Sequence, residues 1–132
     1  MKIGNSADIY EDTGLRDLIH EMQISDYFKD KNYGNTDVEL FFVINCLYFN
    51  AKCRKRYDSK ANVLSWDIIL DYDTVKKATL KEKKIILANS VINSFDILDK
   101  YKKLHLNKEE IKAEVKKYFL QLKWLDPKLS IV

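Results

Sequence analysis

Residues 63–72, with the sequence VLSWDIILDY, alternate between two sets of side chains. One set is strongly apolar and comprises Leu64, Trp66, Ile68, Leu70 and Tyr72. Side chains two residues apart share a face of a β-strand, so this pattern predicts a strand with one buried face. Such a strand needs neighbours in a sheet, and the preceding residues supply one.

The stretch before it predicts the centre of the sheet. Residues 38–49, VELFFVINCLYF, are rich in β-branched and aromatic side chains and are apolar on both faces, which is typical of a central strand. The polar segment 52–62 separates the two strands, with a turn at Asp58, Ser59 and Lys60. We therefore expect a meander over residues 38–72.

Helices are predicted on both sides of the meander. A short strand over residues 2–9 is followed by a helix that Asp12 or Thr13 caps and that extends to about Lys31. After the meander, Thr79 with Glu82 forms a capping box that starts a helix ending near Lys102. A last helix begins at the cap formed by Asn107 and Glu110.

This order of elements predicts an α+β fold. We expect a small antiparallel sheet of about three to four strands with about three helices packed on one face. The chain has 132 residues and contains no linker or internal repeat, so residues 1–132 are expected to form a single domain.

Composition narrows the class of protein. Hydrophobic residues make up 46% and charged residues 33% of the chain, which excludes a disordered protein. The first residues, MKIGNSADIYEDTG, lack the apolar core of a secretory signal, and no stretch is long enough to cross a membrane, so we expect a cytoplasmic protein. If Cys46 and Cys53 lie on one extended segment, their Cα atoms are roughly 23 Å apart, which predicts two reduced cysteines; a tight turn between them is the alternative that would allow a disulfide.

No pattern of residues predicts catalysis. The two histidines, His20 and His105, lie in no catalytic motif, and they are not grouped with the cysteines as a zinc site requires. The three glycines cannot build a phosphate-binding loop. We expect no metal, no cofactor and no enzymatic activity. An enzyme built on Asp71 and Asp73 is the remaining catalytic hypothesis, although caps and strand ends explain such acid pairs more often.

Charge divides the chain into an acidic and a basic part. Residues 1–49 carry four Lys and Arg against nine Asp and Glu, and residues 50–132 carry 19 against 11. A basic cluster near aromatic residues at 52–60 is a candidate for nucleic-acid binding, and a hairpin edge protected by lysines is the alternative. The acidic stretch around the first helix suits either the dipole of that helix or a basic protein partner.

Three segments carry a resemblance to a known family. These are Lys-Arg-Tyr at 55–57, WDIILDYD at 66–73 and KKATLKEKKIILANSVINSFDILDKY at 76–101. With the N-terminal MKI strand and its Ser-Ala-Asp-Ile step, they resemble the immunity protein 44 family of bacterial polymorphic toxin and contact-dependent inhibition systems. The resemblance implies a cytoplasmic, non-catalytic protein that binds and neutralises the toxin domain encoded beside it.

Two surfaces are candidates for contact with that partner. The first is the acidic face that carries Tyr10, Glu11, Asp12 and Asp17. The second is the basic hairpin with Lys52, Arg54, Lys55 and Arg56, which also supports the alternative function of a small nucleic-acid-binding regulator. A membrane or small-molecule partner is not expected.

Overall fold

The computed structural model of the chain describes residues 1–34, 37–49 and 53–127. These residues form two compact units, Met1–Lys77 and Ala78–Val132. The first unit contains the sheet and three short α-helices, the last of which is α3 (Tyr72–Lys77), and the second contains two longer α-helices. The expectation of a single domain over residues 1–132 stays a prediction.

The strands of the first unit confirm the α+β class. They are β1 (Lys2–Ile9), β2 (Glu39–Cys46), β3 (Lys55–Asp58) and β4 (Val63–Ile69). Among the described residues they form a four-stranded sheet in the order β1-β2-β4-β3. The predicted central strand is therefore β2, flanked by β1 and β4.

Pairing directions in this sheet differ from the antiparallel sheet that we predicted. β1 pairs with β2 and β2 pairs with β4 in parallel, and β3 pairs with β4 antiparallel. A parallel pair needs a long connection that returns the chain to the same end, and residues 10–38 and 47–62 are long enough to do this. β3 lies within the second connection and forms a hairpin with β4, so the sheet is mixed.

The predicted alternation positions the core of this unit. Phe42 of β2 lies beside Trp66 of β4 in the register, with ring centroids 6.0 Å apart. The buried side chains of the two strands include Leu40, Phe42, Ile44, Leu64, Trp66 and Ile68. Helix α2 (Ile24–Phe28) packs against β1.

The predicted first helix is broken into shorter pieces. A 3-10 turn at Glu11–Thr13 precedes α1 (Arg16–Glu21), and α2 begins at Ile24. Met22 and Ile24 are both completely buried. In one continuous helix they would point about 200° apart around the axis, so the break between them allows both to face the core.

The second unit confirms both predicted caps. The Thr79 hydroxyl accepts a hydrogen bond from the Glu82 amide at 3.2 Å, and the Glu82 carboxylate accepts one from the Thr79 amide at 2.9 Å. Helix α4 (Leu80–Ser94) follows and continues as a 3-10 helix over Phe95–Lys100, so its α-helical part is shorter than predicted. Asn107 accepts from the Glu110 amide at 3.1 Å and starts α5 (Lys108–Gln121).

Candidate partner-binding surface

Three strands end at the same edge of the sheet because they are parallel. In the register, Ile9 at the end of β1 lies beside Cys46 of β2, and Ile69 at the end of β4 lies beside Asn45. The chain carries a tyrosine shortly after each of these strands, at positions 10, 48 and 72. The topology therefore brings together three residues that are far apart in the sequence.

The three tyrosine rings contact one another. Tyr10 and Tyr48 are stacked, with centroids 4.0 Å apart and ring planes 13° from parallel. Tyr72 stands edge-on to both rings, with its centroid 6.0 Å from that of Tyr10 and 5.3 Å from that of Tyr48. Stacked and edge-to-face contacts are the favourable geometries for aromatic pairs, so each ring restrains the other two.

Polar contacts hold the outer side of this cluster. The Tyr72 hydroxyl donates a hydrogen bond to a carboxylate oxygen of Asp12. Lys76, one turn further along helix α3 (Tyr72–Lys77), places its Nζ 3.4 Å from the same oxygen and 5.5 Å from the Tyr72 ring centroid. We call Tyr10, Asp12, Tyr48, Tyr72 and Lys76 together the carboxyl-edge surface.

These contacts shift the pKa values of Tyr10, Tyr72 and Asp12 further from neutral pH. Hydrogen bonding with Tyr48 raises the pKa of Tyr10 to about 12. The hydrogen bond to Asp12 raises the pKa of Tyr72, and the same bond lowers the pKa of Asp12. Near neutral pH the surface therefore presents neutral phenols beside an ion pair.

Local hydrogen bonds fix the chain where the surface forms. The Thr13 hydroxyl, which is fully buried, donates to the Tyr10 carbonyl at 2.7 Å and accepts from the Leu15 amide at 3.3 Å. Thr13 thus holds the turn after β1 and does not act as the predicted cap of a helix. Asp71 accepts from the amide and hydroxyl of Thr74 at 2.9 and 2.7 Å, which fixes the start of α3 beside Tyr72.

Exposed aromatic area distinguishes this edge. Tyr48 is 68% exposed and its neighbour Phe49 is 59% exposed. Tyr10 and Tyr72, whose rings contact Tyr48, are half-buried. Aromatic residues are enriched at protein interfaces, where they contribute much of the binding energy. The exposed aromatic cluster is therefore a candidate contact surface.

Comparison with known proteins gives the family. The family model described as immunity protein 44 matches residues 1–121, which is most of the chain. The chain belongs to the immunity protein 44 family. Membership supports an immunity role and confirms the resemblance that the sequence carries. No curated protein and no solved structure gives a match.

Two residues of the predicted acidic face, Tyr10 and Asp12, belong to the carboxyl-edge surface of this immunity protein 44 family member. Glu11 points to Arg16 of α1, with 2.9 Å between its carboxylate and the guanidinium. Glu11, Arg16 and Asp17 line a shallow depression together with Gly14. The four predicted contact residues are thus near neighbours, and only two of them contact the tyrosine cluster.

Sequence reasoning missed Tyr48, Tyr72 and Lys76. A signal for the tyrosines was present, because each lies at or just after the end of a predicted strand. It would have indicated a cluster only if the strands had been predicted as parallel, since antiparallel neighbours end at opposite edges. Lys76 had no signal of its own among the many lysines.

The alternative basic site lies at strand β3, at the other end of the strand order from β1. Lys52 lies outside the described residues. Arg54, Lys55 and Arg56 are exposed, and Arg56 is 3.9 Å from Asp58 of the hairpin. The Arg54 guanidinium donates to Asp67 at 2.7 Å, and its backbone amide donates to the same oxygen at 3.0 Å. Part of this basic charge therefore serves to pair the buried Asp67.

Asp67 gives the fold a dependence on pH. Burial opposes its ionisation, but hydrogen bonds from Arg54 and Asn45 outweigh that effect and keep the pKa of Asp67 below its usual range. Aspartates of an unfolded chain titrate near pH 3.9, at roughly the model-peptide value. The ionised Asp67 therefore stabilises the fold above that pH, and this contribution is lost as the pH falls through the folded-state pKa.

We expect Asp67→Asn to remove this contribution. The variant and the natural protein should differ most in free energy of unfolding near neutral pH, and the difference should shrink below about pH 4 as Asp67 itself becomes protonated. Urea denaturation followed over a series of pH values measures both curves. A difference that stays constant down to the lowest pH would show that ionisation of Asp67 does not stabilise the fold.

The other polar residues considered from the sequence have structural surroundings. Asp71 caps α3, as a strand-end or cap role predicts. His20 is exposed on α1, and His105 is exposed after the 3-10 helix Lys102–Leu104. Cys46 is buried, Cys53 is exposed, and both are free.

Over residues 1–34, 37–49 and 53–127, no group of three or more His, Cys, Asp or Glu side chains is arranged to hold a metal ion. In the same part of the chain, no helix combines the length and the apolar character needed to cross a membrane.

Proposed function

We propose that this immunity protein 44 family member binds the toxin domain encoded beside it and neutralises that toxin through the carboxyl-edge surface. The observation that carries the proposal is the cluster of three tyrosines at one edge of the sheet, with Tyr48 68% exposed. The proposed mechanism is binding that covers the active or substrate-binding surface of the toxin, without chemistry performed by the immunity protein. The proposed location is the bacterial cytoplasm, within a polymorphic toxin or contact-dependent inhibition system.

The tyrosine cluster suits tight binding because it is organised before the partner arrives. Ordering side chains at an interface costs free energy, and tyrosine has only two side-chain torsions to restrict. Here Tyr10 and Tyr72 already hold Tyr48 on one side, and the Tyr72 hydroxyl is fixed by Asp12. Little conformational freedom remains to be lost on binding.

Charge around the surface favours a basic partner. Asp8, Glu11, Asp12 and Asp17 lie at or next to the surface, and Arg16 and Lys76 offset two of these four charges. Complementary charge raises the rate of association and selects among partners. A toxin that acts on nucleic acid has a basic substrate groove, and such a groove would complement the acidic residues around the carboxyl-edge surface.

Co-expression with the toxin domain tests the proposal. The C-terminal domain of the large secreted protein encoded upstream is the probe, and we expect this chain to restore growth and to co-purify with the toxin domain. Protection should require at least as much immunity protein as toxin, because each molecule neutralises its toxin by occupying it. Failure to restore growth together with failure to form a complex would contradict the proposal.

A further inference from the structure

The outer edge of β1 carries main-chain groups that the sheet does not use. β1 stands at one end of the strand order, with β2 on its only paired side among the described residues. The Tyr10 amide donates to the Cys46 carbonyl of β2 at 3.5 Å, which shows that the main-chain groups of Tyr10 point toward β2. Since the amide and carbonyl groups of alternate residues point to opposite sides, those of Asn5, Ala7 and Ile9 point away from β2.

A groove runs along this open edge. Its volume is about 680 Å³, and it is bounded on one side by residues 5–9 of β1. The opposite side is formed by residues of and near α1 and α2, which include Ile19, His20, Gln23 and Asp26. Five residues of strand extend about 16 Å, so the open edge is long enough to pair with a short strand.

The two outer strands of the sheet, β1 and β3, differ in how their free edges are protected against pairing with another strand. The β3 edge carries Lys55 and Arg56, and exposed charges of this kind discourage pairing with another strand. In the middle of the β1 edge stand Ser6 and Ala7, which are small, uncharged and exposed. The middle of the β1 edge therefore lacks the basic side chains that discourage pairing at β3, and its small side chains leave room for another strand.

Charge in the groove selects the kind of strand. Asp8 and Asp26 both line it, and both are exposed. Among the described residues neither lies within ion-pair distance of a cation, although Asp8 attracts the Arg54 guanidinium at longer range, whereas Arg16 on the groove wall is paired with Glu11 at 2.9 Å. A basic side chain placed opposite Asp8 on a neighbouring strand would form a favourable cross-strand pair.

We propose that a basic extended segment of the toxin domain adds to the outer edge of β1 as a fifth strand of the sheet. This inference rests on the proposed function and names the part of the partner that is recognised. Main-chain hydrogen bonds to Asn5, Ala7 and Ile9 supply affinity, and Asp8 and Asp26 select a basic sequence. Because β1 leads directly into Tyr10, one partner can occupy the groove and the carboxyl-edge surface together.

A proline substitution at position 7 tests the main-chain contact. Ala7→Pro removes an amide that points away from β2, and proline is tolerated on an edge strand at such a position. We expect about a tenfold or larger loss of affinity for the toxin domain, as the loss of a hydrogen bond and the bulk of the ring both act against pairing. The matched control is Ala7→Val, which keeps the amide and should bind within about twofold of the natural protein.

Amide exchange in the natural protein gives an independent measurement, in case the proline variant does not fold. By NMR, the amides of Asn5, Ala7 and Ile9 should exchange rapidly in the free protein and slowly in the complex. If the toxin binds but these amides stay unprotected and Ala7→Pro binds normally, strand addition is wrong while immunity by binding stands. If the natural protein does not bind the toxin, both proposals fail. A dimer of this chain that Ala7→Pro dissociates would assign the edge to a second copy and overturn the proposal.

Discussion

Replacing Tyr48 with alanine is expected to lower the affinity for the toxin domain about 10- to 100-fold, the range typical of a dominant interface residue. Tyr48 is the most exposed ring of the carboxyl-edge surface and stacks on Tyr10. Its removal takes away its own contact with the partner and also the ring that restrains Tyr10. Since Tyr48 contributes little to the buried core, the variant should fold normally.

Titration calorimetry with the purified toxin domain measures this effect. Leu80→Ala is the matched control, because Leu80 is 61% exposed and lies in the second unit, outside the proposed surface. The control should bind as the natural protein does. Equal affinities for Tyr48→Ala and Leu80→Ala, with both variants folded, would place the contact elsewhere.

The largest loss of stability is expected from Phe42→Ala. Phe42 is completely buried on the central strand beside Trp66. Truncation of a buried phenylalanine removes its transfer free energy and leaves a cavity, so the free energy of unfolding should fall by about 3–5 kcal/mol. A loss of that size is a large fraction of the total stability of a domain.

Chemical denaturation monitored by tryptophan fluorescence gives the free energy of unfolding. Phe49→Ala provides the control, because Phe49 is the same residue type but 59% exposed, and its change should stay within about 0.5 kcal/mol. If the two phenylalanine variants lost equal stability, the assignment of Phe42 to the core would be wrong.

Local features of the fold were predictable because their physical causes are local. The alternation over residues 63–72 depends on neighbouring side chains alone, and β4 formed over Val63–Ile69. The prediction was wrong at its end, because Tyr72 begins helix α3, where the Asp71 side chain caps the chain. The Thr79 and Asn107 caps likewise join residues three positions apart. In such cases the sequence contains both partners of the interaction within a few residues.

Strand direction was not predictable in the same way. Alternation specifies which face of a strand is buried, but it is the same for a parallel and an antiparallel partner. The direction depends on the connections, and the one from residue 47 to residue 62 contains β3, which forms the antiparallel hairpin. The prediction of one continuous first helix was wrong for a related reason, because burial of both Met22 and Ile24 required a break between α1 and α2.

The difference between local features and strand direction explains why only part of the carboxyl-edge surface was predicted from the sequence. Tyr10 and Asp12 were predicted from the local concentration of acidic residues. Tyr48 and Tyr72 join them only because β2 and β4 run parallel to β1 and end at the same edge. A site assembled by topology becomes visible only when the topology is known.

Hydrogen–deuterium exchange of the protein, alone and bound to the toxin domain, tests most directly whether the partner covers the carboxyl edge of the parallel strands. We expect slower exchange in the complex for residues 8–13, 46–49 and 70–76, which carry the three tyrosines and Asp12. Protection confined to residues 80–127, with those three segments unchanged, would contradict this expectation.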